Sequence, residues 1–278
     1  IIGNGKFIVK PITVALHQTL SRLSDIEWTD LEKYFGQIIT DEAHTVAAKT
    51  YYDNVSKFWA KYKWGFTATP LREDGMTDLI FWATGPIIYD SAGNEEIKES
   101  LIEPGYSQII TKYDFPYIDS TQYGELVNDV CLDSDRNDFI LDASKPFLSA
   151  PSVYLCGRIE QMEYIYNGLL SAGYKAEILH SKIPTKQRKL AMENLVSGVS
   201  DYVVSSWGLF STGIDIPRLE NLFICSPMKS QIKVKQAKGR IMRKAPNKTR
   251  AMVYDFTDKK VWILRQYAET RKKIITGK

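Results

Sequence analysis

Residues Gln37-Ile38-Ile39-Thr40-Asp41-Glu42-Ala43-His44 constrain this chain more than any other stretch. The apolar, β-branched run Ile38-Ile39-Thr40 has strand character, and it passes directly into two adjacent carboxylates and a histidine. The C-terminal end of a strand is where open α/β sheets collect their chemistry. Two neighbouring carboxylates repel, so a buried pair needs a compensating cation. Mg²⁺ held through Asp41, by way of water, meets that need and leaves Glu42 to orient or deprotonate an attacking water, with His44 at the rim. The same residues also suit a plain helix start, with Thr40 or Asp41 as N-cap and Glu42 in the first turn.

Three more stretches follow in order: Gly65-Phe66-Thr67-Ala68-Thr69-Pro70, then Ser206-Trp207-Gly208-Leu209-Phe210-Ser211-Thr212-Gly213-Ile214-Asp215, then Gln236-Ala237-Lys238-Gly239-Arg240-Ile241-Met242-Arg243. In the first, the short hydroxyls of Thr67 and Thr69 can bond across to the carboxylate stretch without filling a cleft; a capped strand-end turn before Pro70 is the alternative. In the second, small residues let backbone approach a phosphate, and Asp215 can accept from a ribose hydroxyl or an arginine. A tight structural turn explains the same residues. In the third, Gln236, Gly239, Arg240 and Arg243 recur at three- and four-residue spacings, hence on one face of a helix running from Gln231 to Met242. Two arginines beside a glycine suit the charge that grows on a γ-phosphate during transfer. Lys233, Lys235, Lys238 and Lys244 equally fit a solvated basic face.

Together these stretches resemble motifs II, III, V and VI of the superfamily 2 helicases and translocases, in the manner of phage UvsW-type, XPB-like and RecG-like enzymes. The resemblance implies an α/β fold of two RecA-like lobes, parallel sheets flanked by helices, the first lobe incomplete. It implies ATP and Mg²⁺ as cofactors between the lobes. Asp41, Glu42 and His44 would then face Gln236, Arg240 and Arg243, with Gly213, Asp215 and Gly239 on the nucleotide side. Thr67 and Thr69 would couple nucleotide state to the nucleic-acid side. Val14 to Leu20 resembles the family's V-A-T-x-Q-T-L segment, which gives Gln18 and Thr19 a backbone contact; Leu16 departs from its threonine, and a helix cap by Thr19 or Ser21 is the plain alternative. Arg158, resembling motif IV, joins Ser206 and Thr212 as further nucleic-acid contacts. Ala237 stands where the commoner Q-R-x-G-R pattern has an arginine. The implied partner is nucleic acid, DNA rather than RNA, gripped by its backbone with little sequence specificity.

Motif I is the missing piece. Gly3-Asn4-Gly5-Lys6-Phe7 lacks the Ser or Thr of G-x-x-x-x-G-K-[ST], and Pro11 bars the helix that should follow. The glycines read as a turn between short strands. The first residue is Ile1, so an absent N-terminal segment is expected to carry motif I.

Length and composition set the outer bounds. The chain's 278 residues allow two domains, and 44% hydrophobic with 25% charged residues is ordinary for a globular protein. A net charge of +3 places any nucleic-acid affinity in a local basic surface. No run has the length of a membrane span. Cys131, Cys156 and Cys225 are odd in number and far apart, which argues against disulfides or a zinc cluster and suits a reducing cytoplasm, bacterial or phage-infected.

Apolar spacing predicts helices over 23–35 and 50–62, the latter with a core stripe of Tyr51, Val55, Phe58, Trp59 and Tyr62. The first lobe is expected over 1–111, a hinge over 112–121 and the second lobe over 122–278. The second opens with a helix from Tyr123 to Ala143, then alternates strands and helices as a parallel sheet requires. A closing helix from Val261 to Ile275 packs through Val261, Leu264, Tyr267 and Ala268, with Arg265, Arg271, Lys272 and Lys273 elsewhere. Two other functions compete with a complete motor: a non-catalytic nucleic-acid-binding remnant, and the motor part of a restriction-type translocase. A metalloprotease is excluded because Asp-Glu-Ala-His lacks the second histidine of H-E-x-x-H.

Overall fold

The strand that ends on Asp41 is β3 (Gln37–Asp41), and it pairs in parallel with β4 (Tyr62–Phe66), Thr40 opposite Gly65. The computed structural model describes residues 1–70, 75–91, 94–117 and 119–277, with the side chains of 97, 98, 120, 212 and 213 outside the description. Its contacts divide the chain into two compact units, Ile1–Gly93 and Asn94–Lys278.

The first unit opens with an antiparallel hairpin, β1 (Ile2–Gly3) and β2 (Lys6–Phe7), turned by Asn4 at φ 53° and Gly5 at φ 75°. Positive φ at both central residues is what a two-residue hairpin turn demands, so Gly3-Asn4-Gly5-Lys6 is a turn and not a phosphate loop. α1 (His17–Leu20) and α2 (Asp25–Tyr34) follow, the latter started by a capping box between Ser24 and Glu27. Ile2, Leu20, Trp28, Leu31 and Phe58 form a small core. α3 (Lys49–Lys57) and α4 (Thr77–Thr84) complete the unit. The predicted stripe stops early: Val55 and Phe58 are buried, whereas Trp59 and Tyr62 are exposed. The helix ends at Lys57 because the chain must extend into β4 beside β3.

The second unit is built on a six-stranded parallel sheet in the order β5-β10-β9-β6-β8-β7. After α5 (Glu95–Glu99) comes β5 (Gly105–Ile110), then α6 (Tyr123–Leu132), α7 (Ser134–Ser144), β6 (Ser152–Cys156), α8 (Ile159–Ser171), β7 (Ala176–Leu179) and α9 (Thr185–Ser197). β8 (Tyr202–Ser206), α10 (Trp207–Gly213), β9 (Asn221–Ile224), α11 (Gln231–Ile241), β10 (Met252–Thr257) and α12 (Trp262–Thr276) close it. Every residue of β6 and β9 is buried, and the two sheet faces carry separate apolar cores. Strands buried on both faces read as continuous apolar runs, which is why this sheet was legible.

The expected boundaries, 1–111, 112–121 and 122–278, differ from these units. β5 is an edge strand of the second sheet, pairing Gly105 with Met252 through Ile110 with Thr257. The stretch suggested as a hinge packs Tyr113, Phe115 and Tyr117 with Leu126, Val130 and Leu264. Alternate aromatics bury one side of an extended chain, a period-two pattern that the flanking Asp and Pro obscure. The predicted single helix over 123–143 is two, because Asp133 leaves helical geometry and caps α7 by accepting from Arg136 N–H at 2.7 Å. Among the described residues no helix is long and apolar enough to cross a membrane.

Candidate functional site

In the first unit the chemistry gathers at the ends of β3 and β4. Asp41 ends its strand exposed, and its Oδ1 accepts from Glu42 N–H at 2.9 Å. Glu42 has left-handed backbone, φ 49° and ψ 50°. A non-glycine residue in that region costs on the order of 1 kcal/mol and is retained where the surroundings enforce it, most often at a site. Here the 3-10 turn Ala43–Ala47 enforces it: Thr45 N–H and Oγ1 both donate to Glu42 carbonyl, at 2.9 and 2.8 Å. His44 is buried at 8% exposure, its Nδ1 3.0 Å from Thr67 Oγ1 and 3.3 Å from a Glu42 carboxylate oxygen. Thr67 Oγ1 also accepts from Thr69 N–H at 3.1 Å. Glu42, His44, Thr67 and Thr69 are therefore one connected group. Gly65 permits it: a Cβ there would lie 2.9 Å from both Ala43 Cβ and Thr84 Oγ1. The Asp41 carboxylate, second to burial, raises the pKa of Tyr51.

Asp41, an exposed carboxylate at a strand end, could give Mg²⁺ one protein ligand. Among the described residues no group of three or more His, Cys, Asp or Glu could hold a metal, and Mg²⁺ commonly takes one or two carboxylates, several waters and phosphate oxygens of its substrate. Gln18 is exposed and Thr19 half-buried on the one-turn α1. Ser21 is the C-cap of that helix, its hydroxyl donating to His17 carbonyl at 2.9 Å.

In the second unit the arginine stretch and the small-residue stretch are joined. Arg240 Nη2 donates to Ser211 carbonyl at 2.9 Å and Nη1 to Ile214 carbonyl, so it satisfies carbonyls that the end of α10 leaves without partners. Arg243 pairs with Asp215, both side chains exposed. Arg243 is not on the helix face expected of it. α11 stops at Ile241, and Arg243 forms an isolated bridge with Leu101. Gln236 and Gly239 do lie on α11, and a Cβ at Gly239 would meet open space. Ser206 caps α10, accepting from Leu209 N–H at 3.4 Å. The side chains of Thr212 and Gly213 lie outside the described residues.

Arg158 and Ser206 come together at a cavity of about 390 Å³, with Tyr123, Lys229 and Lys233. Arg158 is fixed by Asn128 Oδ1 at 2.6 Å and Gly157 carbonyl at 3.0 Å. Lys229 was not singled out in the sequence, and Lys233 was read there only as part of a solvated basic face; both follow the strand that ends at Ile224.

A unit that ends a strand on paired carboxylates, and a parallel α/β unit whose arginines close on a small-residue turn, together define a helicase-type motor domain. Residues 3–72 match the family "Type III restriction enzyme, res subunit", and residues 149–245 match "Helicase conserved C-terminal domain". These two matches, with the relatives that follow, support a superfamily 2 helicase. It is 26% identical over 262 residues to "Putative ATP-dependent RNA helicase" of Acanthamoeba polyphaga mimivirus, covering 89% of this chain and 48% of that one. With ATP-dependent DNA helicase uvsW of Enterobacteria phage T4 it shares 22% over 273 residues, 95% of this chain and 53% of the relative. "The fragment structure of a putative HsdR subunit of a type I restriction enzyme from Vibrio vulnificus YJ016" has the same fold, with TM-score 0.67 and 20% identity over 89% of this chain and 47% of that one. The chain spans about half the length of the curated relatives it matches.

Proposed function

We propose that the chain is the motor portion of an ATP-dependent nucleic-acid helicase or translocase that moves along its strand by backbone contacts. The observation that carries this reading is the connected group Glu42, His44, Thr67 and Thr69 at the strand ends of the first unit. In this reading Asp41 holds Mg²⁺ through water, and the metal supplies charge neutralisation at the phosphates when bound. Glu42, its carboxylate half-exposed and set by left-handed backbone, orients or deprotonates the attacking water. His44 and Thr67 report the state of Glu42 to Thr69. Gln236, Arg240 and Arg243 act on the nucleotide, with Gly213, Asp215 and Gly239 beside it; nucleotide arrival releases Arg243 from Asp215. Gln18, Thr19, Arg158, Ser206 and Thr212 grip the strand. Phosphates are alike in every sequence, so little sequence preference follows.

The test is strand-stimulated ATP turnover of the protein at its natural length, with strand affinity measured alongside. Arg243→Ala and Glu42→Gln should each lower turnover by about 10³-fold while affinity for the strand stays within about twofold. If Arg243→Ala instead mainly weakens strand binding and flattens its salt dependence, Arg243 is a phosphate grip and the catalytic assignment fails.

A further inference from the structure

The loops after three neighbouring strands of the second sheet enclose the cavity that holds Arg158 and Ser206. β6 leads through α8 to β7 on one side of the sheet, and β9 leads through α11 to β10 on the other. Their C-terminal ends are thus the point where the strand order diverges, the crevice where open α/β sheets take ligands. The cavity lining includes three cations, Arg158, Lys229 and Lys233, and no carboxylate among the described residues. Arg158 bonds only neutral oxygens among its described partners, so its charge is not cancelled there. Lys229 stands over the Tyr123 ring, 4.9 Å from its centroid, and Tyr123 packs edge-on against Tyr267. Ser230 caps α11 at Lys233 N–H, 3.4 Å away, so the positive end of that helix opens beside the two lysines.

The loop after β9, which carries Lys229 and leads into α11 with Lys233, is held by two buried arginines. Arg136 Nη1 donates to Cys225 carbonyl at 2.7 Å and Arg271 Nη1 to Met228 carbonyl at 3.3 Å. Each arginine is in turn fixed by two bonds to a buried carboxylate, Asp258 for Arg136 and Asp255 for Arg271. With the backbone held at Cys225 and Met228 on one side and by α11 on the other, Lys229 and Lys233 start from fixed backbone, as recognition of a small anion requires.

We propose that this cavity is a phosphate site in which Lys229 and Lys233, beside Arg158, neutralise consecutive phosphodiesters of one nucleic-acid strand. The proposal rests on the nucleic-acid reading above and adds to it a segment that none of the four motif stretches contains. The measurement is affinity of the full chain for fluorescein-labelled oligo(dT) and oligo(U) of about 20 nucleotides over a salt series. Replacing both lysines (Lys229→Gln with Lys233→Gln) should weaken binding by about tenfold or more near 0.1 M salt and reduce the log–log salt slope by about 0.7 per lysine. Lys229→Arg should retain the slope. Lys233→Gln alone, which removes no ring contact, should show half the change and serves if the double variant fails to fold. Lys189→Gln, at a lysine 81% exposed on α9, should leave the slope alone. An unchanged slope in the double variant, or an equal loss in Lys189→Gln, overturns the proposal. So does a variant that loses ATP affinity while strand binding holds, which would give the cavity to a nucleotide. A wild-type chain that binds neither strand removes the nucleic-acid reading itself, whereas wild-type binding with an unchanged variant removes the cavity alone.

Discussion

Lys248 sits in a run, Lys244-Ala245-Pro246-Asn247-Lys248-Thr249-Arg250, that looks in sequence like a solvated basic loop. In the structure it is 8% exposed, and its ammonium donates to three carbonyls: Pro217 at 3.0 Å, Ile241 at 2.6 Å and Arg243 at 2.9 Å. One cation thus ties the end of α11 and Arg243 to the loop beyond Asp215, and it sets the spacing of the Arg243–Asp215 pair. Burial pushes its pKa down from 10.5 to about 8, against a weaker pull upward from Glu220. Below about pH 8 the lysine is charged in both folded and unfolded chains, and the cost of burying it is present in full. Between about pH 8 and 10.5 the unfolded chain binds more protons, so stability from this group rises with pH. Thermal midpoints of wild type and Lys248→Met, compared across that window, should therefore shift in favour of wild type as pH rises. A difference that stays flat would place the ammonium in water. No residue pattern announces such a lysine, because its three acceptors come from segments that only folding gathers.

α12 shows how much of an element can be read and where the reading stops. Its apolar stripe was visible, and Leu264 and Ala268 are buried as spacing required. Arg271 was placed off that stripe with the helix's other cations, yet it is 3% exposed and bonds Asp255 twice, at 2.8 and 2.7 Å. Tyr106 from β5 donates to the same carboxylate at 3.1 Å, and burial, with that negative neighbour second, raises the tyrosine's pKa strongly. Arg271→Ala leaves a buried carboxylate without its cation and should cost about 3–5 kcal/mol in urea unfolding. The paired change Arg271→Met with Asp255→Leu removes both charges and should recover most of that loss. Equal losses in the single and double variants would mean that Arg271 contributes packing rather than charge compensation. Spacing alone puts Arg271 on that stripe, three residues after Ala268 and seven after Leu264; it was set apart because it is charged, and the carboxylate that lets it be buried lies on another strand.

On the scale of the molecule the two units are built to different standards. The second rests on six parallel strands with cores on both faces, whereas β3 and β4 of the first form a two-stranded sheet in which Ile39 is 62% and Phe66 59% exposed. Two-stranded sheets are marginal alone. In hydrogen exchange of this chain, amides of β3 and β4 should exchange at least about 100-fold faster than those of β6, β8 and β9. Comparable protection would show that the first unit draws stability from more than its own sheet. By itself the sequence determined the α/β class, strands β6 to β10 of the second sheet, the hairpin at Gly3-Asn4-Gly5-Lys6 and the order of the four motif stretches. These follow from local periodicity, from glycine and proline geometry, and from residue types whose chemistry does not depend on neighbours far along the chain. Only the tertiary structure decided that β5 belongs to the second sheet, that Arg243 leaves its helix to meet Asp215, that Lys248 and two arginines are buried, and that Lys229 and Lys233 share a cavity with Arg158. Each of those depends on partners brought together across long stretches of chain, and a side chain's exposure and charge balance are fixed by such partners, which spacing along the chain does not encode.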